Sequence, residues 1–232
     1  MKYSKDREWY INLLLCFISL LGVIILPSAF YIYLSKIISN TNICELLSNI
    51  LFIAVLIAFY YKDLLKEFKT YKKNFKSSFK ISFKYYVVGL MAMVFFNMII
   101  VTLLKDVSSN ENQVRDLLFN NPLITMISIM VTAPLIEELA FRKSLSPLLK
   151  NKWLFATISG ILFGGAHLLT NILTNTFVLT DLLYILPYGS LGFVFALMNR
   201  KTSSTFSSIV IHGLHNGCTG LLLLIFNSIG AL

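Results

Sequence analysis

Charge is what this chain has least of. Only 13% of its 232 residues are Asp, Glu, Lys or Arg, and the 11 acids are outnumbered by 20 bases. A soluble domain carries about 25% charged residues, so a soluble globular fold is excluded. Cysteine is scarce as well. Cys16, Cys44 and Cys218 stand far apart without CxxC spacing, which argues against a disulfide framework. There is no HExxH pair, no internal repeat and no low-complexity tract. A small-x-small cleavage site is missing from the first apolar run, Ile11–Leu34, so that run is expected to stay as a first helix rather than leave as a signal peptide. Leu15 stands before Cys16 where a lipoprotein signal needs a small residue, which argues against lipidation there.

What remains is apolar. Hydrophobic residues make up 56% of the chain and its mean hydropathy is +0.74. They fall in blocks near the roughly 20 residues that a helix needs to cross a bilayer. The blocks are Ile11–Leu34, Cys44–Tyr61, Tyr85–Leu104, Leu123–Phe141, Trp153–Thr170, Leu182–Met198 and Phe206–Ile229. The expected fold is therefore all-α, a polytopic bundle of about seven transmembrane helices. Loop charge supports this count. Basic residues crowd the N-terminus (Lys2, Lys5, Arg7), the second loop (Lys62 to Lys84), the fourth (Lys143, Lys150, Lys152) and the sixth (Arg200, Lys201), and are sparse in the others. Cytoplasmic loops carry the Lys and Arg excess, which puts the N-terminus inside and the C-terminus outside. The net charge of +9 then reflects topology and anionic lipid, not nucleic acid. In segment 62–84, Leu64, Phe68, Tyr71, Phe75 and Phe79 recur at helical spacing among lysines. The expectation is a basic amphipathic helix on the inner leaflet, facing anionic lipid.

Ionisable groups inside a span cost several kcal/mol and mark functional sites. Glu137 and Glu138 lie in the fourth block, His167 in the fifth, and His212 and His215 in the seventh. At about 100° per residue, Glu138 and Arg142 share a helix face, with the acid in the favourable N-terminal position. Glu137 points about 140° away from Arg142 and stays free to act. Gly160 and Gly164, and again Gly213 and Gly217, form GxxxG pairs that let membrane helices approach closely. Pro134, one turn before Glu137, is expected to kink its helix. Asn97 and Asp181 read as packing or boundary residues. Converging carboxylates and imidazoles suit a proton path, a metal site or an acid–base site.

In order, these residues read EELAFR at Glu137–Arg142, FGGAH at Phe163–His167 and HGLHN at His212–Asn216. They resemble the EExxxR, FxxxH and HxxxN motifs of the CPBP family of intramembrane proteases, the CAAX-protease and bacteriocin-processing enzymes. The resemblance covers residues 123–232 as a catalytic core. Residues 1–122 match only as three further hydrophobic spans. It implies that Glu137 and His167 activate water, that His212 and Asn216 hold the oxyanion, that Glu138 and Arg142 are structural or substrate-orienting, and that Phe163 packs the site. His215 is extra to the pattern, either a further site member or a polar residue lining the same cavity. The implied activity is hydrolysis of a peptide or membrane protein in the bacterial cytoplasmic membrane. No cofactor is expected; the alternative is zinc on Glu137, His167 and His212. Two other readings stand beside it: a bacteriocin-immunity or scaffold protein that acts by binding, and a proton-coupled transporter.

Overall fold

The computed structural model describes residues 3–230. The described residues form helices and turns, with no strand among them. Six helices are long and apolar enough to cross a membrane, and the chain is a multi-pass membrane protein. The main helices are α1 (Trp9–Leu34), α2 (Thr41–Lys73), α3 (Phe75–Leu104), α4 (Ser109–Asn120), α5 (Pro122–Lys143), α6 (Lys152–Ala166), α7 (Ile185–Thr202) and α8 (Thr205–Ser228). Polar caps start several of them. Asn40, Ser108, Asn151 and Ser204 each accept a backbone N–H of the first turn. Large apolar side chains such as Leu103, Met98, Phe95 and Leu221 are more than half exposed, as expected where lipid is the solvent.

Three features differ from the sequence expectation. The fifth span is short: α6 is a 15-residue helix ending at Ala166, followed by a single turn of helix at Leu169–Leu173. The lysine-rich segment 62–84 is not a separate surface helix. It is the end of α2 and the start of α3, which meet at Asn74. An aromatic ladder explains why both helices run on past their apolar blocks. Tyr71, Phe75, Phe79, Phe83 and Tyr86 contact one another in sequence with ring centroids 5.6–6.3 Å apart, and Phe206 of α8 closes the lower end against Tyr71. Finally, the polar loop between the third and fourth apolar blocks, whose Val114, Leu117 and Leu118 suggest only a short amphipathic turn, holds a 12-residue helix, α4.

Helices in lipid gain little from the hydrophobic effect and associate through close packing and hydrogen bonds. The glycines supply the packing. A Cβ on Gly164 of α6 would lie 2.7 Å from the Ile185 carbonyl oxygen, and one on Gly160 2.8 Å from that of Gly189. The α6 and α7 backbones therefore touch, and α7 packs most closely on α6 and α3. Polar clamps tie the lysine-rich ends together. The buried Lys143 ammonium of α5 donates to Glu67 of α2 at 2.6 Å, and the other oxygen of Glu67 accepts the Thr205 N–H at the start of α8. Arg200 donates to the carbonyls of Ser146 and Leu149, holding the α5–α6 turn.

Candidate active site

The site helix α5 is not a uniform α-helix. Two wider π-helical turns, Ser128–Thr132 and Leu139–Lys143, flank the α-helical segment Ala133–Glu138 that carries both glutamates. Pro134 accounts for the first. The Ala133 N–H reaches back five residues to the Ser128 carbonyl. In that register the next carbonyl, Ile129, faces Pro134, which has no N–H to give. A side chain from another helix takes the place: Asn216 Nδ2 of α8 donates to Ile129 O at 2.9 Å. Beside it Gly213 packs directly on the Met130 carbonyl, where a Cβ would collide. The proline that the sequence marks as a kink thus opens a turn in α5, and α8 docks onto it. Wide turns of this kind are frequent at functional sites.

That docking brings the motif residues together. Glu138 and Arg142 are fully buried and paired at 3.1 Å. Arg142 also donates to the Gly192 carbonyl at 3.2 Å, and its guanidinium stands 4.4 Å from the Phe163 ring centroid. Glu138 accepts from His212 Nδ1 at 3.0 Å, so His212 turns Nε2 toward Glu137, 3.5 Å away. Glu137 is the more exposed of the two acids, with 22% of its side chain accessible. Phe163 packs against three of these groups, with His167 at 4.7 Å, His212 at 5.7 Å and Arg142 on its face. His167 Nδ1 donates to the Phe163 carbonyl at 2.8 Å, which leaves Nε2 as the ring nitrogen outside that bond.

A cavity of about 400 Å³ joins these residues. Glu137, Phe163, His167, His212, His215 and Asn216 all line it. Glu138 and Arg142 are not among the lining residues; they sit behind His212. The position of His215 is set by Tyr86 of α3, whose hydroxyl lies 3.1 Å from Nδ1. Asn97 also faces the cavity, whereas Asp181 caps the turn before α7 by accepting from Val178 N and Asn171 Nδ2.

Sequence reasoning missed two parts of the site. The first is Tyr188 of α7, whose ring stacks on His167 with centroids 4.0 Å apart and planes 17° off parallel. The second is α4, whose Asn110, Glu111 and Val114 line the cavity. The two are linked, because the N-cap residue Ser108 hydrogen-bonds the Tyr188 hydroxyl at 2.7 Å, with Asn110 at 3.4 Å. The only sequence signal was that Tyr188 interrupts an apolar run. Among the described residues no group of three or more His, Cys, Asp or Glu side chains is placed to hold a metal ion.

Comparison with known proteins bears out the resemblance carried by the motifs. Residues 119–218 match the family model described as type II CAAX prenyl endopeptidase Rce1-like. Over 112 residues the chain is 30% identical to a protein of Bacillus subtilis (strain 168) named "Putative membrane peptidase YdiL". That alignment takes in 47% of this chain and 41% of the relative, so the chain spans less than half of the relative's length. No solved structure matches.

Proposed function

We propose, with the Rce1-like pattern of residues 119–218 as premise, that this chain is an intramembrane peptidase of the bacterial cytoplasmic membrane. One observation carries the reading: Glu137, His167, His212 and Asn216, drawn from three helices, line a single cavity inside an apolar bundle. Peptide hydrolysis needs a base for water and donors for the oxyanion, and this cavity holds both.

In this mechanism Glu137 takes a proton from a water molecule as its oxygen bonds to the scissile carbonyl carbon. His212, carrying a proton on each ring nitrogen with Nδ1–H on Glu138, presents Nε2–H, and Asn216 the amide hydrogen not used on Ile129, to the oxygen that gains the negative charge. The C–N bond then breaks, and a proton passes to the leaving amine by way of Glu137 or His167 Nε2. Glu138 touches no substrate. It fixes the orientation of His212 and is itself neutralised by Arg142. Tyr188 acts the same way on His167, by stacking. The substrate is a peptide or a membrane-protein segment entering the cavity.

The test compares peptides released by membranes carrying the wild-type protein with those carrying Glu137→Gln. Products that depend on Glu137 are expected; identical peptide pools would contradict the reading and favour a protein that acts by binding. Chelator-treated protein is expected to keep its turnover. Zinc-restorable loss, with bound zinc absent from His167→Ala, would transfer water activation to a metal.

A further inference from the structure

A second concavity lies on the other side of α7 from the site. It is a groove of about 830 Å³ with α7 as its floor and α3 and α6 as its walls. Small residues hollow it out: Ala92 on one wall, Thr157 and Gly160 on the other, Gly189 and Ser190 along the floor. Its floor runs from Ile185 to Leu197, about 18 Å at 1.5 Å per residue. That is close to half of a bilayer core of about 30 Å, the depth of one leaflet. Its lining is apolar along this length, and the charged residue it contains, Lys84, is basic.

The two ends differ. One end is formed by Lys84, Trp153, Phe193 and Leu197, the other by Ile161 and Ile185. At the first end Trp153 stacks on Phe193 at 6.2 Å, and the Lys152 ammonium stands 5.0 Å over the Trp153 ring. Trp beside Lys is the residue pair of the membrane–water interface, where the indole sits at head-group level and the ammonium faces phosphate. Both lysines are exposed.

We propose that this groove binds an anionic glycerophospholipid of the lysine-side leaflet, with an acyl chain along α7 and its phosphate between Lys84 and Lys152. Depth selects a lipid chain, and the paired ammonium groups select an anionic head. The position on α7 gives the site a consequence. Ile185, Gly189 and Phe193 face the lipid, while Tyr188 and Leu191 of the same helix face the catalytic cavity. The lipid braces the helix that holds Tyr188 against His167.

The test needs no peptidase activity. The protein is placed in nanodiscs of equal phosphatidylglycerol and phosphatidylcholine and extracted in mild detergent, and the retained lipid is measured by native mass spectrometry. Wild type is expected to retain phosphatidylglycerol in excess over phosphatidylcholine. Lys84→Gln and Lys152→Gln, both at exposed positions, should each lower that preference by roughly fivefold. Filling the groove with Ala92→Phe and Ser190→Phe should abolish retention, whereas Leu222→Phe on the exposed face of α8 should not. Equal retention of both lipids by wild type, lysine variants that behave as wild type, or a lipid-free dimer in place of a lipid-bound monomer would overturn the proposal.

Discussion

Glu137 and Glu138 are chemically identical neighbours with different surroundings. Glu138 is fully buried between Arg142 and His212, while Glu137 reaches the cavity. Their substitutions should therefore separate. Glu138→Gln leaves the Arg142 charge buried without its partner and is expected to destabilise the fold by about 3–5 kcal/mol. Glu137→Gln should leave stability near wild type and remove turnover. Denaturation of the two purified variants, read beside peptide cleavage, checks both outcomes. Loss of stability in Glu137→Gln would make that acid structural. The Glu138–Arg142 pair was legible in the sequence because one helix turn determines it. Tyr188 was not, since its stack on His167 depends on how α7 lies against α6.

At the scale of elements, the sequence marked Pro134 as a kink but could not show what fills the gap. The missing donor is replaced by Asn216, a residue 82 positions further along the chain. This gives a testable coupling. Asn216→Ala should cost about 1–3 kcal/mol by leaving the Ile129 carbonyl unpaired. In a Pro134→Ala background, where residue 134 regains its N–H, the same change should cost less. Additive costs in the double variant would break the proposed link. A second coupling runs through α4. Tyr188→Phe removes the hydroxyl that Ser108 and Asn110 bind, and Ser108→Ala removes one of those bonds together with the N-cap of α4, so both should lower turnover, and Ser108→Ala should lower it less in the Tyr188→Phe background than in wild type. Helix α4 was unreadable as part of the site, because its polar, charged sequence looks like any outer loop until its contact with Tyr188 is seen. The glycine pairs were the opposite case: GxxxG spacing alone pointed to a close helix approach, and the structure supplies α7 as the partner of Gly160 and Gly164. Gly164→Leu should force the two helices apart and lower thermal stability, measured in detergent.

Over the whole molecule, hydropathy was enough to read an all-helical membrane bundle, because the absence of water leaves few other ways to satisfy a spanning backbone. It could not reveal that α6 would stop at Ala166, since His167 and the turn after it are set by contacts with α7 and the cavity. Loop charge proved only partly informative: Lys143, counted among the loop bases, is a buried partner of Glu67. The remaining lysines still predict an orientation. Reporter fusions after Lys80 and Lys201 should read cytoplasmic and a C-terminal fusion external; a cytoplasmic C-terminus would reverse or break that topology. The central claim is that water, activated at Glu137, is added across a peptide bond inside this bundle. The most direct measurement incubates membranes holding wild-type or Glu137→Gln protein in ¹⁸O-enriched water and follows released peptides by mass spectrometry. The account predicts new peptides whose fresh C-terminal carboxylates carry ¹⁸O with wild type and are missing with Glu137→Gln. The same labelled peptides from both proteins, or none from either, would contradict it.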